Sequence, residues 1–359
     1  MHPPTPAGER ISGLDALRGI AILLVLTHHA FASLLPADVR SMSTGFQALV
    51  WWTGFGHLGV HLFFVLSGFL ISGMLVAHRG DASYYRPFYA RRAARILPAY
   101  LAMVALLWCS GAISWKYVLV CLLFLCNMPG LLGVGAEYGP LWSLSVEEQF
   151  YLVWPVVVRH VGQRTLERLC WALVLLTPVL RWVLQHVPGS FGDIHFKVWV
   201  LGDFFAAGAL AACHVRRDGR PWRAGLVLLV LGTAAVAWQF SSTRWGSPLD
   251  HALYLEPYLL VFTGALLLSL QAQQAARTWV GKGLAYLGHI SFGLYLVHQF
   301  LFDRVRDVLA GLDDWGAPQR VAVQMAGGVV AAVAVASLSR WTFEAWWLQR
   351  VRGMVQSRG

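Results

Sequence analysis

The sequence predicts an all-α, polytopic membrane helical bundle with about ten transmembrane helices and one broken or re-entrant segment. Two observations carry this. Of the 359 residues, 57% are hydrophobic and only 13% are charged, against roughly 25% charged in a soluble globular chain. Long apolar runs also alternate with short Arg-rich loops, the pattern that cytoplasmic loops follow in multi-pass proteins. Mean hydropathy, at +0.56, agrees. The formal net charge of +10 would suggest a nucleic-acid partner in a soluble domain. Here the arginines cluster between apolar runs, so they report topology and no nucleic acid is expected.

The candidate spans, in order, are roughly 17–36, 57–77, 95–111, 116–134, 142–158, 169–186, 197–214, 224–240, 252–270, 284–303 and 321–343. Clusters at Arg79 to Arg95, Arg159 to Arg168, Arg216 to Arg223, Arg277 to Lys282 and Arg350 to Arg358 belong in the cytoplasm by the positive-inside rule. Arg10 puts the N-terminus there too. The chain leaves the third span outside and must be inside again by Arg159, which takes an odd number of crossings. One of 116–134 and 142–158 therefore does not fully span. Met128-Pro129-Gly130 and Gly133 to Pro140 are rich in helix breakers, and broken backbone at membrane depth is tolerated only where it lines a cavity. The balanced charges of 303–320 fit an outside loop. The chain reads as one domain, 1–359, with spans over roughly 14–345, no appended soluble domain and both termini cytoplasmic. No small-residue cleavage site follows the first apolar run, so that run is expected to stay as a helix. Cys109, Cys121, Cys126, Cys170 and Cys213 lie in or beside apolar stretches without metal-ligand spacing and read as packing residues.

Within the first span, Arg18 and His29 are eleven residues apart. That is almost three helical turns, so both project from one face, about 16 Å apart along the axis. Asp15 lies near the same stripe. Ionisable residues at that depth are expensive and read as functional by default. After the second span, Arg91, Arg92 and Arg95 stand at helical neighbour spacing. Such guanidinium groups suit a bidentate grip on a phosphorylated ligand. A juxtamembrane topology signal or a lipid-headgroup contact would look the same. In Trp142-Ser143-Leu144-Ser145-Val146-Glu147-Glu148-Gln149-Phe150-Tyr151, Ser143, Glu147 and Tyr151 share a helical face. Two carboxylates in an apolar stretch require partners, although Glu148 alone would also fit an interfacial marker. Gly68, Ser72 and Gly73 permit close helix contact. His57 and His61 are one turn apart, but nothing nearby completes a zinc ligand set, so no metal is expected. Tyr295 and His298 share a face late in the chain, which also fits a histidine that simply bonds a neighbouring helix.

Taken together and in order, these segments resemble the acyltransferase family 3 membrane proteins, the O-antigen acetylase type. The matching residues are Leu14-Asp15-x-Leu17-Arg18-Gly19 with His29, the run Gly59 to Ile71, Arg92-x-x-Arg95-Ile96-x-Pro98, Trp142-Ser143-Leu144-x-x-Glu147-Glu148-Gln149-Phe150-Tyr151, and Ile290-Ser291-x-x-Leu294-Tyr295-Leu296-x-His298. The resemblance covers about residues 12–303. It departs at His61, a position often acidic in the family. It implies a multi-pass O-acyltransferase of a bacterial-type inner membrane. The donor would be a cytosolic acyl-CoA with an acyl group such as acetyl, and the acceptor a hydroxyl of a carbohydrate, glycolipid or glycan. His29 would be the base or acyl carrier, with Arg18 and Glu147 in support. Arg92, Arg95 and Arg91 would face the donor phosphates. Asp15, Trp142, Ser143, Glu148, Tyr151, Tyr295 and His298 would line or support the site. A transporter of a small polar solute or glycan precursor is the competing class, because polar residues at mid-membrane also suit a substrate pathway.

Overall fold

The structure, a computed structural model, describes residues 12–186, 197–217, 221–241, 248–310 and 316–347. Arg10, Asp313, Asp314 and the Arg350–Arg358 cluster, used above for orientation, lie outside them. Among the described residues there is no strand. The helices are α1 (Ser12–Ala32), α2 (Pro36–Ser41), α3 (Thr44–Thr53), α4 (Gly59–Ala77), α5 (Tyr85–Cys109), α6 (Trp115–Leu122) and α7 (Leu141–His160). They continue as α8 (Gln163–Gln185), α9 (Gly202–Arg217), α10 (Pro221–Ser241), α11 (Pro248–Leu253), α12 (Glu256–Ser269), α13 (Trp279–Ala310) and α14 (Ala317–Ser339).

Six helical stretches among the described residues are long and apolar enough to cross a membrane: Ser12–Ala32, Thr44–Ala77, Tyr85–Cys109, Pro221–Ser241, His251–Ser269 and Ala317–Trp347. The outer surface suits lipid. Leu152, Leu175, Leu176, Val230 and Val330 are each more than half exposed, an apolar area far larger than a water-soluble monomer presents.

The structure separates the two segments that parity left undecided. Residues 142–158 fall within α7, a continuous helix of 20 residues about 30 Å long, which is not one of the six stretches above. Residues 116–134 do not form one helix. α6 ends after eight residues, Phe124 follows with φ +52° and Gly133 with φ +65°, and Pro129–Leu132 is a single 3-10 turn. The breakers Pro129, Gly130 and Gly133 act as their chemistry dictates. Elsewhere the expectation of a loop from 303 is revised. α13 runs to Ala310, and its Asp303 and Arg306 pair at 2.9 Å one turn apart, supporting helix where only charge balance had been read.

Close backbone approach sets the packing. A Cβ on Gly68 would lie 2.1 Å from the Phe205 carbonyl oxygen, and one on Gly208 2.1 Å from that of Val65. α4 and α9 thus interlock reciprocally. Gly19 and Gly288 do the same for α1 and α13. The contact predicted for Gly68 is present. Gly73 meets only Ala212 at ordinary distance, and Ser72 accepts a hydrogen bond from Trp154 Nε1 at 2.7 Å.

A buried charge cluster, unsuspected from sequence, ties α8 and α12 to α9. Arg181 of α8 is 1% exposed; it pairs with Asp203 of α9 and Glu256 of α12 at 2.5 Å each and donates to the Val200 carbonyl. Beyond α1, Asp38 pairs with Arg320 and Gln324 Nε2 donates to Ser33, fastening α2 and the end of α1 to α14.

Gly68→Ala and Gly208→Ala are each expected to destabilise the bundle by roughly 1–3 kcal/mol, the usual cost of overpacking. Gly45→Ala, with nothing within 4 Å of its added methyl, should leave stability unchanged. Thermal unfolding in detergent separates the two outcomes.

Candidate active site between two contiguous cavities

α1, α4, α5, α7 and α13 surround two cavities that share a wall. One, of about 120 Å³, is lined by Arg18, Arg92, Arg95, Ser67, Ser143, Glu147, Tyr151 and Ser291 among others. The second, of about 1380 Å³, is lined by His28, His29, His57, His61, Asn127, Trp142, Lys197 and Tyr254 with further residues. Val60 and Tyr295 line both. The helical period explains the division. Arg18 and His29 lie on one stripe of α1 nearly three turns apart, so one helix serves both cavities. On α7 the neighbours Trp142 and Ser143 face different cavities.

In the smaller cavity three guanidinium groups meet one carboxylate. Arg18 Nη2 donates to Ser291 Oγ at 3.3 Å, and its Nη1 is 4.0 Å from Asp15. Glu147 accepts from Ser67 Oγ at 3.0 Å and from the Tyr151 hydroxyl at 3.1 Å. Both carboxylate oxygens are thereby satisfied, as a buried acid requires. Arg92 stacks over the Tyr151 ring, with Cζ 4.8 Å from the centroid, a cation–π contact that holds a guanidinium without a counter-ion. Three arginines facing one glutamate leave the cavity with an excess of positive charge, suited to a phosphate or a developing oxyanion.

At the shared wall, the Tyr295 hydroxyl and Ser143 Oγ are 2.5 Å apart. In the larger cavity His29 Nδ1 lies 2.9 Å from the Val25 carbonyl. A carbonyl only accepts, so Nδ1 carries the hydrogen and Nε2 keeps a lone pair, the tautomer a general base needs. His298 sits against it, with ring centroids 4.8 Å apart.

The wall of this chamber is the broken segment after α6, and α7 holds it. Gln149 Nε2 donates to the Phe124 carbonyl and to Asn127 Oδ1, each at 2.9 Å. Ser145 Oγ accepts from the Cys126 amide. Tyr138 inserts into α13, donating to the Leu296 carbonyl and accepting from the Phe300 amide, two groups that an unperturbed helix would pair with each other.

Of the residues singled out by sequence, Arg18, Arg92, Arg95, Glu147, Ser143, Tyr151 and Tyr295 meet at the smaller cavity, and His29 and Trp142 at the larger. Asp15 reaches the site only through Arg18. His298 is buried behind His29. Arg91 is exposed and lines neither cavity, and Glu148 also turns away, with Oε1 buried and unpaired among the described residues. Sequence reasoning missed Ser67, Ser291, Gln149 and His28 as site residues. Ser67 and Ser291 could have been flagged as hydroxyls in apolar runs needing a partner. His57 and His61, one turn apart, line the larger cavity.

The chain matches the family model for the acyltransferase domain over residues 11–341. It is similar to the putative peptidoglycan O-acetyltransferase YrhL of Bacillus subtilis, 26% identical over 357 residues that cover 83% of this chain and 49% of that protein. It is also 26% identical over 324 residues to the peptidoglycan O-acetyltransferase OatA of Listeria monocytogenes, covering 80% of this chain and 49% of that protein. The chain thus spans about half the length of these relatives. No solved structure matches.

The two neighbouring acids should respond oppositely to removal of charge. Glu147→Leu strips both partners from a satisfied network and is expected to cost about 2 kcal/mol or more, whereas Glu148→Leu removes an unpaired buried oxygen and should be neutral or stabilising. Unfolding midpoints of the two variants test this.

Proposed function

The chain belongs to the acyltransferase-domain family, and from that premise we propose that it is a membrane O-acyltransferase that moves an acyl group, acetyl in the first instance, from a coenzyme A thioester at the arginine cavity to a hydroxyl of a cell-wall glycan in the histidine chamber. The observation that carries this reading is the shared wall at Tyr295. An anion-binding cavity and a chamber holding an imidazole base meet at one point, where a thioester and a hydroxyl can meet too. The volumes agree with those roles. About 120 Å³ is below the ~300–1,000 Å³ of a drug-sized pocket and suits a thin acyl-thioester arm. About 1380 Å³ suits a glycan segment. The names of the relatives support peptidoglycan as the first acceptor to try.

In this mechanism Arg92 and Arg95 hold donor phosphates at the cavity mouth. His29 Nε2 takes the proton of the acceptor hydroxyl, whose oxygen attacks the thioester carbon. The C–S bond breaks, and the thiolate takes the proton from His29 to leave as a thiol. Arg18, about 16 Å from His29 along α1, adds its positive charge to the donor cavity, and Glu147 fixes the position and charge balance of the arginines. In the same reading α7, α8, α9 and α13 cross the membrane beside the six apolar stretches, giving ten spans. The arginine-rich start of α5 and the junction of α7 with α8 then face the cytosol.

His29→Ala is expected to lower acetyl transfer to peptidoglycan fragments by about 10²- to 10⁴-fold, the worth of a general base. Wild-type turnover in that variant would remove His29 from the mechanism. Arg92→Ala combined with Arg95→Ala should weaken acetyl-CoA binding at least tenfold, measured by calorimetry; unchanged affinity would return both arginines to a topological role.

A further inference from the structure

His29 is not alone at the chamber wall. His298, on α13, is fully buried, and its ring stands edge to face with that of His29, centroids 4.8 Å apart at 73°. Its Nδ1 lies 2.7 Å from the Tyr295 carbonyl and 3.2 Å from that of Leu294. Backbone carbonyls can only accept, so Nδ1 carries the hydrogen in this ring as it does in His29. The nitrogen left for chemistry in each ring is Nε2, and in each it bears a lone pair. His298 Nε2 is buried with no hydrogen-bond partner among the described residues. An unpaired buried acceptor is costly to leave unmade.

Two adjacent imidazoles with both Nδ1 hydrogens committed to the backbone cannot bond to each other while both are neutral, since each offers only an acceptor. One added proton changes that. With the centroids 4.8 Å apart, a small rotation of the protonated His29 ring brings its Nε2 hydrogen to the orphaned Nε2 of His298, which the edge-to-face arrangement leaves unbonded while both rings are neutral. The charged and titratable groups around the pair are few: His28 from α1, edge-on to His29 at 4.9 Å, and the Tyr295 hydroxyl from α13, committed to Ser143. No carboxylate bonds either ring among the described residues, and the neighbouring imidazole of His28 is the one other base beside His29.

We propose that His29 and His298 act as one unit that holds the acceptor's proton between its departure from the hydroxyl and its arrival at the thiolate, with His298 as the positioning residue that accepts a hydrogen bond from protonated His29. The balance is closed. The O–H bond of the acceptor breaks and the proton goes to Nε2 of His29, shared with Nε2 of His298. The new C–O bond forms as the C–S bond breaks, and the thiolate takes the shared proton. Both imidazoles return to neutral with no net proton gained or lost. This rests on the reading of His29 as base.

The test is a double-mutant cycle on purified full-length protein, with acetyl-CoA as donor and peptidoglycan fragments as acceptor. His298→Leu keeps volume but removes the acceptor. It is expected to lower kcat ten- to a hundredfold, the worth of one hydrogen bond to a charged group, with KM for acetyl-CoA unchanged. His298→Gln, which restores an acceptor oxygen, should recover most of the loss. His29→Ala with His298→Leu should be no slower than His29→Ala alone, because residues acting as a unit are not additive. Wild-type kcat in a folded His298→Leu protein, or multiplicative losses in the double variant, would overturn the pair. Should the leucine variant fail to fold, the same cycle is run with His298→Ala, which also lacks the acceptor, and multiplicative loss there is equally decisive. Full activity in His29→Ala would instead sink the base assignment itself, a distinct outcome.

Discussion

An ionisable group held among apolar helices must be neutralised where it stands, and the interior of this protein is arranged around that requirement. Glu147 is the clearest case. Its two oxygens take hydrogen bonds from Ser67 on α4 and Tyr151 on its own helix, while three guanidinium groups line the same cavity. Arg92 uses an aromatic face instead of a carboxylate, which leaves its charge available. Arg181 obeys the same rule with a different result. Two acids and one carbonyl bond each of its three nitrogens, so it fastens helices. Buried arginines here thus divide by whether their partners saturate them.

The second organising feature is the separation of unlike chemistries by a thin wall. α1 presents a guanidinium near one end and an imidazole nearly three turns on. α7 presents Trp142 to one cavity and Ser143 to the next. Tyr295, held by Ser143, stands where the two cavities touch. The broken backbone after α6 lines the larger chamber, and α7 side chains bond its Phe124 carbonyl, its Cys126 amide and the Asn127 side chain. Irregular backbone in a packed interior requires this kind of internal satisfaction. The glycine contacts of α1 with α13 bring those helices close enough for Arg18 to reach Ser291.

What local pattern fixes was legible early. Composition and apolar periodicity identified a helical membrane bundle. The order of Arg18, His29, Arg92, Arg95, Glu147 and Tyr295 along the chain identified the family, and helical spacing put Ser143, Glu147 and Tyr151 on one face. Helix breakers at 128–130 and 133–140 marked irregular backbone between two apolar runs without deciding which run is a continuous helix. Arg91 and Glu148 carry the same chemistry as their neighbours, yet each is turned roughly 100° from a residue that faces the cavity. Spacing alone marks them as different without saying which of the two faces inward.

Tertiary structure alone decided the rest. Arg18 finds Ser291 across 273 residues of sequence, Ser67 finds Glu147 across 80 and Ser143 finds Tyr295 across 152. No local rule encodes such pairings, because they depend on which helix faces lie together after packing. The sequence by itself determined where charge and hydroxyl stand along each helix, since a 3.6-residue period is a property of backbone geometry. Which of those groups meet, which saturate one another and which are left to face a cavity depended on glycine-set interhelical distances, and those exist only in the folded bundle.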